Sequence, residues 1–98
     1  MSRREKIEID FARSLERAQE LEDMAARLYE LAKNGIPGTL QMIAEGFGGE
    51  NGTRFREKSA KMEPALLTLA DRMMIAARNI RFSAEVIYRA EKSAEMIF

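Results

Sequence analysis

The feature that most constrains this sequence is a stripe of small and apolar residues that repeats every three and four positions through its second half. The stripe holds no charged residue over about six heptads, a pattern typical of a long helix that packs along one face. A helix over residues 53–97 would be roughly 65 Å long, about twice the diameter of a compact chain of this length. We therefore expect an elongated fold. The stripe, called the seam below, consists of Phe55, Ser59, Met62, Leu66, Leu69, Met73, Ala76, Ile80, Ser83, Ile87, Ala90, Ala94 and Ile97.

The first half predicts a shorter amphipathic helix. Apolar residues from Phe11 to Ala32 also step by three and four. We expect an extended lead-in at residues 7–9, Asp10 as the N-cap and Gly35 as a left-handed C-cap. Glycine and proline divide the chain between the two helices.

The sequence thus predicts one helical-hairpin domain. Its predicted elements are helix one at about 10–33, a short helical element at about 39–45, a turn at 46–52 and helix two at about 53–97, all within a domain of residues 1–98. Thr53 is the expected N-cap of helix two, and Pro64 is expected to kink or locally open that helix.

The predicted fold class is all-α, an elongated antiparallel helix-turn-helix hairpin. Two helices that each bury one stripe make a poor core for a monomer. Additional apolar residues lie off the seam, and we predict that they form a partner interface through which two hairpins build a four-helix bundle. The alternative is that they are scattered surface residues, which are common. The predicted interface consists of Leu67, Met74, Ile75, Phe82 and Tyr88.

The residue inventory excludes several kinds of chemistry. The chain has no cysteine and no histidine, which rules out thiolate nucleophiles, Ser-His-Asp triads and zinc sites built on those ligands. No glycine pattern matches a phosphate-binding loop. We therefore expect no enzyme activity, no metal site and no cofactor.

The charge balance argues against two kinds of partner. Sixteen basic and sixteen acidic residues give a net charge of zero, which disfavours binding to nucleic acid through phosphate neutralisation. A small basic cluster contains Arg54, Arg56, Lys58 and Lys61. The first 30 residues contain no long apolar run, so we expect neither a conventional signal peptide nor insertion into a membrane.

The predicted turn contains Phe47-Gly48-Gly49, and Phe55 follows eight residues after Phe47. This arrangement resembles the WXG-motif family, the early-secreted-antigen-like proteins exported by type VII (ESX) secretion, which carry Trp-x-Gly in the bend between two long helices. Phe47 stands where the family has tryptophan. The resemblance covers the whole chain in length, element order and turn position.

The resemblance implies a small secretion-system protein, exported or acting as a targeting partner for a co-secreted substrate, that works by protein–protein interaction. It implies a dimer with a second copy, a sibling hairpin or the helical domain of a larger secreted substrate, and recognition by the type VII membrane ATPase. The chain would be made in the cytoplasm and secreted without a conventional signal peptide. Two roles for Phe47 remain open: it packs at the hairpin tip only, or it is also recognised by the export machinery or a partner.

The family also carries a C-terminal export signal, Tyr-x-x-x-Asp/Glu. Tyr88 and Glu91 are the corresponding residues here, with a spacing of three positions instead of four. The alternative function is that of a cytoplasmic helical adaptor or chaperone-like protein that is not itself exported.

Overall fold

A computed structural model describes residues 2–97 of the chain. The described elements are α1 (Arg3–Glu30), a π-helical turn (Leu31–Gly35), α2 (Ile36–Phe47), α3 (Gly49–Ser59) and α4 (Met62–Ile97). The chain divides into a central unit, Met24–Arg72, and a terminal unit made of the residues up to Asp23 and from Met73 onward.

The terminal unit pairs α1 with the C-terminal part of α4. Arg4 lies 3.4 Å from Glu95, and Glu22 lies 2.7 Å from Arg81. The residue near the start of α1 contacts the end of α4, and the later residue of α1 contacts an earlier residue of α4, so the two helices run antiparallel. The buried residues of this unit are Ile7, Ala18, Ala77 and Ala84.

The central unit pairs its two halves in the same sense. The Tyr29 hydroxyl donates a hydrogen bond to the Asp71 carboxylate, and the rings of Phe47 and Phe55 lie against each other. The buried residues of this unit are Ala25, Ala32, Ala44, Ala70 and Gly52. The predicted all-α class is confirmed. Each unit contains an antiparallel pair of helical segments, which is consistent with a helical hairpin.

The core is built from alanine at seven-residue intervals. Ala18, Ala25 and Ala32 mark one face of the first half, while Ala70, Ala77 and Ala84 mark one face of α4. Within residues 2–97 no large side chain is fully buried. Because a methyl group occupies little space, helices can approach closely along such a face, and larger side chains are displaced to its edges.

This core corrects the predicted position of the seam. The buried alanines of α4 each follow a seam residue by one position, so the contact face is turned away from the seam. Leu66, Met73 and Ile80 are half-buried, whereas Leu69 and Ile87 remain 49% and 56% exposed. Only some of the seam residues are therefore packed within the chain, and the others are exposed. In the terminal unit the exposed members of the seam, called the seam edge below, are Ser83, Ile87, Ala90 and Ile97; Met62 and Leu69 are its exposed members in the central unit.

The start of the first helix also differs from the prediction. Residues 7–10 are helical, not extended, and Asp10 lies inside α1. The Ser2 hydroxyl oxygen accepts a hydrogen bond from the backbone N–H of Glu5 at 3.1 Å. Ser2 therefore caps α1, because its side chain satisfies an N–H group that the helix itself leaves free.

The middle of the chain contains more helix than predicted. Gly35 has φ −85°, not a left-handed conformation, and the chain passes through the π-helical turn directly into α2. Thr53 lies inside α3, which already begins at Gly49. The expected opening near Pro64 is a break at residues 60–61, between α3 and α4.

Candidate functional site

The bend between α2 and α3 consists of two glycines. Gly48 has φ 63° and ψ 172°, and Gly49 has φ 49°, conformations that residues with a Cβ atom rarely adopt. The Gly48 N–H donates to the Ala44 carbonyl at 3.2 Å, and the Gly52 N–H donates to the Gly48 carbonyl at 2.9 Å. The reversal of the chain is therefore tight, and it places Phe47 as the last residue of α2.

Glycine also sets how closely α3 approaches α2. A Cβ atom added to Gly52 would lie 2.7 Å from the Ala44 carbonyl oxygen. A side chain at this position would clash with the backbone of α2, so Gly52 permits the close contact that holds the bend together.

Two aromatic side chains meet at this bend. The ring centroids of Phe47 and Phe55 are 5.7 Å apart with an interplanar angle of 54°, within the range for favourable aromatic pairs. Phe47 is still 60% exposed. A groove of about 300 Å³ is lined by both rings together with Arg54 and Lys58, so the bend presents an aromatic surface next to two cations.

Tyr88 is held against the N-terminal part of α1. Its ring stacks on Phe11 with centroids 4.2 Å apart, and its hydroxyl donates to the Glu8 carboxylate at 2.9 Å. Lys92 lies 2.8 Å from the same carboxylate. Tyr88 is half-buried, so this residue of the predicted export signal is engaged inside the terminal unit.

These contacts shift the ionisation of all three polar groups. Hydrogen bonds from Lys92 and Tyr88 lower the pKa of Glu8. The Glu8 carboxylate raises the pKa of both Tyr88 and Lys92, because it stabilises their protonated forms. At neutral pH the group is thus a carboxylate that bridges a neutral phenol and an ammonium.

Glu91, the second residue of the predicted signal, is also half-buried. Together with Tyr88, Asp10 and Phe11 it lines a groove of about 170 Å³ in the terminal unit. The hydroxyl of Tyr88 is directed to Glu8 and not to Glu91.

A second polar cluster in the terminal unit surrounds Arg81. Its guanidinium donates to both oxygens of Glu22, at 2.7 and 3.1 Å, and to the Gln19 side-chain oxygen at 3.1 Å. This two-pronged geometry lowers the pKa of Glu22 and raises that of Arg81. The cluster links α1 to α4 in the terminal unit.

The five predicted interface residues are divided between two environments. Leu67, Met74 and Tyr88 are half-buried within the chain. Ile75 and Phe82 are 54% and 69% exposed, one seven-residue step apart on α4. Of the five predicted interface residues, Ile75 and Phe82 are thus the two that form an exposed apolar surface. The seam edge is a separate exposed apolar surface.

Sequence reasoning missed the partners of Tyr88 and Arg81. Glu8, Phe11 and Glu22 contact α4 because of the register between the two helices, and no local sequence signal encodes that register. Among residues 2–97, no helix has the length and apolar character needed to cross a membrane, and no group of three acidic residues is placed to hold a metal ion.

No protein-family model matches the chain, and comparison with curated proteins and with solved structures gives no match either.

Proposed function

We propose that the chain is a small protein-interaction component of a type VII (ESX) secretion system, exported or acting as a targeting partner for a co-secreted substrate. The observation that carries the interaction part lies in the terminal unit, where Ile87 on the seam edge stays 56% exposed although the neighbouring Ala84 is buried. The assignment to type VII secretion is supported by Phe47-Gly48-Gly49, which lies at a bend between two helical segments.

The mechanism is pairing followed by presentation. A second helical hairpin that packs on the seam edge completes a four-helix bundle. Ile87 is already about half buried, so burying the rest of its side chain would contribute about half of the 1.5–3 kcal/mol of a full burial, roughly 0.8–1.5 kcal/mol. The partner is a second copy, a sibling hairpin or the helical domain of a larger secreted substrate.

The bend would carry recognition by the membrane ATPase. Phe47 is exposed at this bend and forms a pair with Phe55. Large aromatic side chains that remain accessible in a folded chain are common anchors of protein interfaces.

A matched pair of variants tests where the partner packs. Ile87 lies on the seam edge, whereas Ile75 lies off the seam, seven residues before Phe82. The exposed fractions of Ile87 and Ile75 are nearly equal, at 56% and 54%. We expect Ile87→Glu to lower the mass measured by light scattering toward the 11.2 kDa of one chain, and Ile75→Glu to leave the dimer intact.

The reverse result would assign pairing to the predicted interface around Phe82 and reject the seam edge. A wild-type chain that already has the mass of one copy would reject self-pairing. Co-purification of the two variants with a sibling hairpin would then decide which face is used.

Export is tested in cells. The ratio of the protein in culture supernatant to that in lysate should fall when the type VII ATPase is inactive. A ratio that does not depend on the ATPase, with a cytoplasmic protein as lysis control, would contradict the secretion assignment.

One observation favours the alternative, a cytoplasmic helical adaptor. The hydroxyl of Tyr88 is hydrogen-bonded to Glu8, and its ring is stacked on Phe11. An export signal that is engaged in this way is not free for a receptor. Retention in the lysate together with a stable cytosolic partner would support the adaptor.

A further inference from the structure

Two helix irregularities line one groove of the central unit. The first is the π-helical turn, in which the Ile36 N–H reaches back five residues to the Leu31 carbonyl. The second is the break before α4, where the Lys61 N–H bonds only three residues back, to Lys58. Pro64 lacks an N–H group, so it cannot donate to the Ala60 carbonyl as a normal helical residue would. Turns of the π type are frequent at functional sites.

The groove between these irregularities has a volume of about 420 Å³. Its apolar lining includes Ile36, Pro37, Leu40 and Ala60. Ligand sites are typically about 300–1,000 Å³ and mostly apolar, with a few polar groups that orient the ligand. The groove meets this description in size and in lining.

Two charged residues, Arg56 and Glu63, also line the groove. Arg56 belongs to α3 and Glu63 to α4, on opposite sides of the break at residues 60–61. Within residues 2–97, Arg56 makes no ion pair inside 4.0 Å, whereas its neighbour Arg54 is paired with Glu50 at 2.8 Å. The guanidinium of Arg56 is therefore available to a ligand.

We propose that this groove binds a small amphipathic carboxylate. The apolar body of the ligand lies on Ile36, Pro37 and Leu40, and its carboxylate accepts hydrogen bonds from the Arg56 guanidinium. A planar guanidinium matches a carboxylate in charge and in two-pronged geometry. The proposal does not depend on secretion or on pairing with another hairpin.

The test uses octanoate and octanol as probes, which share an alkyl chain and differ in the charged group. Titration of the full-length, isotope-labelled chain is followed through its backbone amide resonances. We expect saturable shifts confined to the groove and tighter binding of octanoate than of octanol. Arg56→Gln should weaken octanoate binding by about tenfold or more and leave octanol binding unchanged.

Two further variants make the result specific. Arg54→Gln removes a neighbouring cation that is already paired, and it should leave the binding of both probes unchanged. Ala60→Leu fills the groove, and it should weaken the binding of both probes while the circular dichroism stays helical.

Several outcomes would overturn the proposal. Octanol that binds as tightly as octanoate would refute the role of Arg56, as would equal losses in the two arginine variants. Shifts spread along the seam edge, or a lack of saturation with octanoate, would show adsorption to exposed apolar residues instead of a site.

Discussion

Replacing Gly52 by alanine should destabilise the protein, although alanine is the better helix former. In the interior of a helix, glycine is about 0.5–1 kcal/mol less favourable than alanine. At Gly52 the added methyl carbon would lie 2.7 Å from the Ala44 carbonyl oxygen, 0.7 Å closer than the 3.4 Å at which ordinary contact begins. The obstacle is backbone, which cannot rotate away as the end of a flexible side chain can.

The expected size follows from these two opposing effects. Overpacking that forces backbone shifts typically costs about 1–3 kcal/mol. After the gain in helix propensity of about 0.5–1 kcal/mol is subtracted, the centres of the two ranges leave a net loss of about 1 kcal/mol for Gly52→Ala. In a domain of this size, that corresponds to a decrease in Tm of roughly 4–8 °C.

Gly46 provides the matched control. It lies inside α2, and a Cβ atom added there meets nothing within 4 Å. Gly46→Ala should therefore stabilise the protein by about 0.5–1 kcal/mol. The two variants are compared by urea unfolding followed by circular dichroism. Equal stabilisation by both would refute the argument that α2 and α3 touch at Gly52.

Three other changes have defined outcomes. Ala77→Leu enlarges a fully buried position of the alanine core and should cost about 1–3 kcal/mol in urea unfolding, whereas a neutral effect would show that the helices are not closely packed there. Because the pKa values of Glu8 and Glu22 are lowered by folding, their pairs should stabilise the terminal unit above about pH 4.3, the usual value for glutamate, and this contribution should be lost as the pH falls through the lower folded values. Urea midpoints measured from pH 7 to pH 3 should fall less for the double variant with glutamine at both positions than for the wild type, and parallel curves would contradict the assignment. Phe47→Ala should lower export more than it lowers the Tm, and equal losses would reduce Phe47 to a packing residue.

Local patterns in the sequence account for the helices and for the position of the bend. Apolar spacing depends on one helix at a time, so the helical content of both halves could be predicted from it. The four glycines within residues 46–52 predicted a turn over that stretch, but only Gly48 and Gly49 have positive φ, while Gly46 and Gly52 lie inside α2 and α3. The cap at Ser2 was also readable, since Ser2 and Glu5 stand in the spacing of a capping box.

The choice between two adjacent faces of α4 could not be made from the apolar pattern alone. Both the seam and the alanine heptad repeat every seven residues, and the seam contains the larger side chains, so hydrophobicity favours it. The structure buries Ala70, Ala77 and Ala84 instead, which is a consequence of how closely the two helices approach. The contacts of Tyr88 with Glu8 depend on the same approach and on the helix register, neither of which is encoded locally.

The alanine core also determines which sequence changes the chain can accept over evolutionary time. In most proteins the damaging core substitutions remove atoms and leave cavities. An alanine side chain has only one methyl group that a substitution could remove. Selection at these positions therefore acts mainly against larger residues. Positions such as Ala18, Ala25 and Ala77 should drift only among glycine, alanine and serine, while the outward faces remain free to diversify. Substitutions at outward-facing positions therefore need no adjustment of the interior.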